Sequence, residues 1–223
     1  MKTLPILVAA LAFGTALAGE PAKVPEWRSL SGSDAGEFWQ GWKSKKFPGG
    51  WRIDGDTLSK EGEVEDLVSR DSFGNFELQF EWQLSEGGNA GIFYRGTREY
   101  DYIYWSAPEY QLLDDARHPD GRNRLTSAAA AYALHAAPAG IVKPAGEWNL
   151  ARIVVDGAQV EHWLNGRKVV TYELWSPDWK SKVAASKFAP YPNYGLAKQG
   201  LIGIQGDHAG SLTLRGMRIR ELR

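Results

Sequence analysis

Residues 150–173 admit few folds. Leu150–Val155 alternates apolar and polar side chains and turns at Asp156-Gly157 into Gln159–Leu164, which turns at Asn165-Gly166 into Arg167–Glu173. A period of two is that of a strand with one buried face. Asp-Gly and Asn-Gly supply the left-handed backbone that tight hairpin turns demand. Three consecutive antiparallel strands of one sheet are predicted. Phe76–Trp82 repeats the pattern, which puts Phe76, Leu78, Phe80 and Trp82 on a core face with Ile153 and Val155. Glu77, Gln79 and Glu81 then face solvent or a groove. Gly91–Arg95, Glu109–Leu113, Leu201–Gln205 and Leu212–Ile219 are further short strand-like runs, and helical periodicity is almost absent. The pattern is that of an all-β sandwich of two antiparallel sheets. Ala-rich Ser127–Ala137 is expected to add one short helical turn.

The first 18 residues carry one charge, Lys2, then an apolar run ending in Ala16-Leu17-Ala18. That is the pattern of a cleaved secretory signal peptide, too short for a membrane span. A periplasmic or secreted protein is expected, with residues 19–223 as a single domain. No cysteine follows to carry a lipid, so no membrane anchor is expected; the lack of cysteine also excludes disulfides, zinc–thiolate sites and a thiol nucleophile. With 26 Lys+Arg against 27 Asp+Glu there is no basic field for nucleic acid. The 10 Trp and 9 Tyr suit sugar binding, but equally a sandwich core.

Candidate chemistry lies on two strands and the loop after them. Strand parity puts Asn89, Phe93 and Arg95 on one face of their strand and Glu109 and Gln111 on one face of theirs, and Arg95, Glu109 and Gln111 are expected to line a common concave face. Such polar groups at strand centres are costly to bury unpaired, so they pair with each other or line a wet ligand surface. The following loop gathers Asp114, Asp115, His118, Asp120 and Arg124. Carboxylate beside imidazole is the raw material of acid–base catalysis. His208 follows a later strand, while His162 reads as a packed or surface histidine. No His spacing suits a tight zinc site. A divalent cation held by loop carboxylates and carbonyls stays open, because calcium needs no fixed spacing outside the EF-hand.

Taken in order, Phe76–Trp82, Gly88–Arg95, Glu109–Asp114, His118-Pro-Asp120, Asn123-Arg124, Tyr132, Lys143–Asn149, Val160–Val169, Ser186-Lys-Phe188 and the stretch from Gly200 onward make a recognisable series. The chain resembles the 3-keto-disaccharide hydrolase domain family. That resemblance implies a concanavalin-like (jelly-roll) sandwich facing a carbohydrate substrate, and cleavage of glycosides already oxidised at C3. A C3 ketone acidifies the C2 proton, so a base can remove it, the C1 substituent can leave, and water can add back. On this reading Glu109 or Asp114 is the base, His118 or His208 the acid, and Arg95 or a bound cation the electrophile. Asn89, Gln111, Arg124, Tyr132 and His208 are expected to bind substrate. The chain departs from the family pattern at Ala90, where a serine is usual, at Ala130-Ala131 before the loop tyrosine, and at Gly206 and Ala209, which interrupt the run around His208.

Two other readings share the fold: a non-catalytic carbohydrate-binding module and a glycosidase acting on unmodified β-glucans. The density of ionisable groups between Asp114 and Arg124 favours an enzyme over a lectin. The β-glucan reading ranks last, because Glu61-Gly-Glu-Val-Glu65 lacks the Asp of the two-carboxylate motif.

Overall fold

The computed structural model describes residues 25–223; the leader expected at 1–18 lies outside them. The strands are β1 (Arg28–Ser29), β2 (Trp39–Gly41), β3 (Trp51–Asp54), β4 (Thr57–Glu61), β5 (Leu67–Ser69), β6 (Phe76–Leu84), β7 (Asn89–Gly96), β8 (Glu109–Leu113), β9 (Asn149–Asp156), β10 (Gln159–Leu164), β11 (Arg167–Glu173), β12 (Leu201–Ile204) and β13 (Ser211–Glu221). They form two antiparallel sheets. The larger runs β11-β10-β9-β6-β13-β4-β3, with β1 added to β13; the smaller runs β2-β5-β12-β7-β8. Most neighbours are distant in sequence, so the chain crosses repeatedly between sheets, as jelly-roll sandwiches do.

The inner faces follow the alternation. Phe76, Leu78, Phe80 and Trp82 of β6 and Ile153 and Val155 of β9 are buried against Ile92, Tyr94, Tyr110, Leu112, Ile202 and Ile204 of the smaller sheet. Each such side chain contributes about 1.5–3 kcal/mol by leaving water. Glu77 points outward as its parity requires, yet it is buried beneath Arg152 (Oε1–Nε 2.5 Å) and Arg220 (Oε2–Nη2 2.5 Å) rather than solvated.

Both hairpins form, with a difference in their turns. Leu164 pairs with Arg167, leaving Asn165 (φ 50°) and Gly166 (φ 80°) as the two central residues, both left-handed. At the other turn Asp156 pairs with Gln159, so the central residues are Gly157 (φ 58°) and Ala158. Only the first needs left-handed backbone, and Asp156 closes the strand instead.

The helical expectation at Ser127–Ala137 is not met. That segment is a run of turns that zips onto the free edge of β8: Gln111 N donates to Ala130 O (3.2 Å), Ala129 N to Gln111 O (2.8 Å) and Tyr132 N to Glu109 O (3.1 Å). Ala129 adopts φ 64° to do so. His162, wholly buried, holds this loop from behind. Its Nδ1–H donates to Ala129 O (2.9 Å), and its Nε2 accepts from the Tyr94 hydroxyl (2.9 Å), itself bonded to Tyr172. Helices are few: α1 (Ala35–Phe38) and α2 (Pro177–Ala184). The latter starts at Ser176, whose Oγ accepts Trp179 N–H (3.1 Å), with Pro177 at its first position. Among the described residues no helix is long and apolar enough to cross a membrane.

Candidate active site

The outer face of the smaller sheet divides in two. On one side Phe93, Val68 and Leu201 pack with Trp42 and Ile103 in a separate apolar cluster. On the other, Asn89 of β7, Glu109 and Gln111 of β8, and Gln205 just beyond β12 floor a cavity of about 370 Å³. Gln205 stays in the sheet, its N–H bonded to Gly91 O (2.9 Å). Loops wall the cavity: His118, Asp120 and Tyr132 after β8, Lys187 and Phe188 after α2, and Asp207 and His208 after β12.

Glu109 is the centre of this floor, only 7% exposed. Its carboxyl lies over Gly91, where a Cβ would stand 2.1 Å from Oε1. The Gln111 amide, oriented by its surroundings, donates to Glu109 Oε1 (3.0 Å) and Ala90 O (3.2 Å). Burial pushes the Glu109 carboxyl up to about 8; Lys187 opposes the shift, while Asp207, Asp66 and Asp120 add to it. A carboxyl poised there can take up and return a proton near neutrality.

His118 caps the 3₁₀ turn Pro119–Arg122, and its Nδ1 accepts Asp120 N–H (3.2 Å). The proton of the neutral ring is therefore on Nε2. Tyr132 donates to Asp120 Oδ2 (3.1 Å), and the Lys187 ammonium lies 4.1 Å from the Tyr132 ring centroid. Lys187 is brought there by a stack of rings, Tyr172 on Trp179 (5.2 Å), Trp179 on Tyr194 (6.1 Å) and Tyr194 on Phe188 (3.9 Å). His208 Nε2 is 3.9 Å from Asp207 Oδ1. Burial holds its pKa below the ordinary imidazole value, with Asp207 only partly opposing the shift. Its loop is tied to the larger sheet by buried Lys60, which donates to His208 O (2.5 Å) and Gly62 O (3.0 Å). Gly206 packs where a Cβ would lie 2.8 Å from Val64 O and Glu65 O, and its N–H donates to Asp66 Oδ1 (2.7 Å). The interruption at Gly206 thus leaves His208 in the cavity wall.

Six expected residues converge on the cavity: Asn89, Glu109, Gln111, His118, Tyr132 and His208. Three do not. Arg95 turns away because a register shift between Leu201 and Gly203 and its own left-handed backbone (φ 54°) break the parity of β7. Its guanidinium is spent at the end of the sandwich, on Gly74 O (2.9 Å), Gly157 O (2.9 Å) and Asn75 Oδ1 (3.3 Å). The Asp114 carboxylate accepts Gly87 N–H (2.8 Å) and Ala116 N–H (3.2 Å), holding turns rather than facing the cavity. Arg124 bonds Asp115 (3.2 Å) and Gly121 O (2.7 Å) and braces the loop. Asp120 of the carboxylate–imidazole loop joins the six, and Lys187, Gln205, Asp207, Tyr104 and Phe188 complete the lining without having been expected to act. Among the described residues no group of three or more His, Asp or Glu side chains is placed to hold a metal ion.

Comparison with known proteins bears on family and fold. The model of the 3-keto-α-glucoside-1,2-lyase-like domain matches residues 26–220. The chain belongs to that family. A 3-keto-disaccharide hydrolase of Bacteroides thetaiotaomicron is 34% identical over 217 residues, covering 82% of this chain and 74% of the relative. The crystal structure of a "putative glycosyl hydrolase" from Parabacteroides distasonis superposes with a TM-score of 0.80 at 26% identity, covering 88% of this chain and 94% of that one. A Bacillus subtilis protein with a galectin-like fold, 14% identical (TM-score 0.54; 88% and 94% covered), shares the fold alone. As a member of the 3-keto-α-glucoside-1,2-lyase-like family, the chain is a carbohydrate-cleaving enzyme of the hydrolase or lyase type.

Proposed function

We propose that this is an exported enzyme that cleaves 3-keto-glycosides by elimination followed by hydration. The observation that carries the reading is the buried Glu109 carboxyl, held near a pKa of 8 above a glycine floor, with an ammonium and two imidazoles around it. Ionised Glu109 removes the C2 proton, and the C–H electron pair becomes the enolate of the C3 ketone. Lys187, in place of Arg95, stabilises the oxygen that gains charge. The enolate then expels the C1 oxygen, which must be protonated as it leaves, and a C1=C2 double bond remains. Water adds at C1 and gives one proton to the group that protonated the leaving oxygen, while Glu109 returns its proton to C2; the net change is hydrolysis.

The two imidazoles are not equivalent. His118 Nδ1 accepts a backbone N–H, so its ring gains a second proton only by breaking that bond. It serves as a neutral Nε2–H donor. His208 lies beside Asp207, and burial holds its pKa below the ordinary imidazole value, so its imidazolium gives up a proton readily; we assign it the leaving oxygen.

The test is incubation with a 3-keto-glucoside and with its unoxidised parent, following aglycone release. Release from the ketone alone, reduced by roughly 10²-fold or more in Glu109→Gln, supports the reading. Equal release from both compounds, or release from neither, refutes it.

A further inference from the structure

A second cavity, of about 660 Å³, opens beside the first, and the two share Tyr104 and Asp207 as a common wall. Its size is that of a small-molecule site. One wall is aromatic. Tyr102 and Tyr104 stack with centroids 5.0 Å apart and planes 20° from parallel. Trp42 is anchored by its Nε1–H on Asp101 O (2.7 Å) and backed by the apolar cluster of the smaller sheet. The other wall is acidic, with Glu65, Asp66 and Asp207, and the exposed Lys43 ammonium lies 5.0 Å from the Tyr102 ring centroid at the rim. Asp66 is 6% exposed, and burial raises its pKa to about 7.

Aromatic faces opposite carboxyl groups match one kind of occupant. A pyranose ring has an apolar C–H face to lay on the rings and hydroxyls to donate to the acids. An aryl group would stack as well, but it would cover the partly exposed Asp207 carboxylate without offering a donor, which is costly. The shared wall places His208, next to Asp207 in sequence, at the junction of the two cavities.

We propose that this cleft is the leaving-group subsite and binds an unoxidised sugar ring across the scissile bond from the 3-keto ring. The inference rests on the proposed activity and adds the half of the substrate that the first cavity does not hold. Two variants test it. Tyr102→Ala removes part of the aromatic wall, and Ser44→Trp, at an exposed position on the rim, fills the cleft. Both should lower kcat/KM about tenfold for a 3-keto-disaccharide whose leaving group is glucose, while changing that for methyl 3-keto-glucoside less than about twofold. An equal loss on both substrates, or no loss on the disaccharide, overturns the subsite and leaves the activity standing. If the wild-type protein cleaves neither substrate, the activity fails separately, and free glucose becomes the probe. Saturation transfer to glucose that Ser44→Trp abolishes would then support the sugar site. Absent transfer, or transfer that the variant does not change, would overturn it.

Discussion

Gly91 and Glu109 stand on neighbouring strands so close together that a Cβ on residue 91 would lie 2.1 Å from Glu109 Oε1 and 2.9 Å from its Cγ. The glutamate side chain can swing away, so Gly91→Ala should cost little stability. It should cost much activity, because displacing a reacting group by about 1 Å is worth about 10²-fold. Thermal melting and kcat/KM, measured on the same preparation, check both halves. Unimpaired turnover in Gly91→Ala would show that Glu109 does not work from this position.

Glu109 must be ionised to remove a proton, so kcat/KM should rise with pH through about 8. Lys187 favours the charged form; Lys187→Met should therefore move that limb to higher pH as well as lower the rate. Stability follows the opposite course. The folded protein holds the Glu109 proton more tightly than the unfolded chain, whose glutamate titrates near 4.5, so Glu109's contribution is complete below that value and is lost as pH rises through about 8. Relative to wild type, Glu109→Gln should gain stability across this window in urea titrations. A pH–rate limb that Lys187→Met leaves unmoved would remove the ammonium from the site.

Arg95 should matter for folding and not for chemistry. Arg95→Met leaves the Gly74 and Gly157 carbonyls without their donor, at a cost of about 2–4 kcal/mol in denaturant unfolding. At a temperature where the variant is folded, its kcat should stay within about twofold of wild type, against the roughly 10² expected for a group acting on the reacting atoms. A large fall in kcat with unchanged stability would reverse this assignment.

His162 is buried and neutral, with burial pulling its pKa down to about 4 from an ordinary 6.5. The unfolded chain takes up this proton first, so the contribution of His162 is whole above about 6.5 and is lost as pH falls toward 4. His162→Phe cannot lose it. The stability gap between wild type and His162→Phe should be constant above pH 6.5 and narrow below it; a gap that widens on acidification would mean the imidazole is not buried neutral.

How much of this was readable from the residues depends on the range of the interactions. The sandwich and its hairpins follow from alternation and turn dipeptides, which are local, and β6 buried the four side chains its parity assigned. Glu109 and Gln111 were readable for the same reason. Arg95 was misplaced because one bulge inverts parity: Phe93 to Gly96 of β7 takes three steps against two from Gly203 to Leu201 on β12, with Arg95 itself left-handed (φ 54°), and alternation carries no mark of that extra residue. Asp114 and Arg124 were chosen for their chemistry, but backbone amides, a loop carbonyl and Asp115 claim them. Lys187 has no local signature. It reaches Glu109 through a stack of rings drawn from residues 172–194, an arrangement made by topology rather than by spacing.

The strand that carries Glu109 ends the smaller sheet, and an uncovered outer strand is where one molecule templates onto the next. Here the Gln111 N–H and the Glu109 and Gln111 carbonyls are already taken by the turn segment 129–132. That segment therefore protects the protein from self-association at its reactive centre, and loosening it would expose the chain to aggregation at the same moment as it dissolved the site.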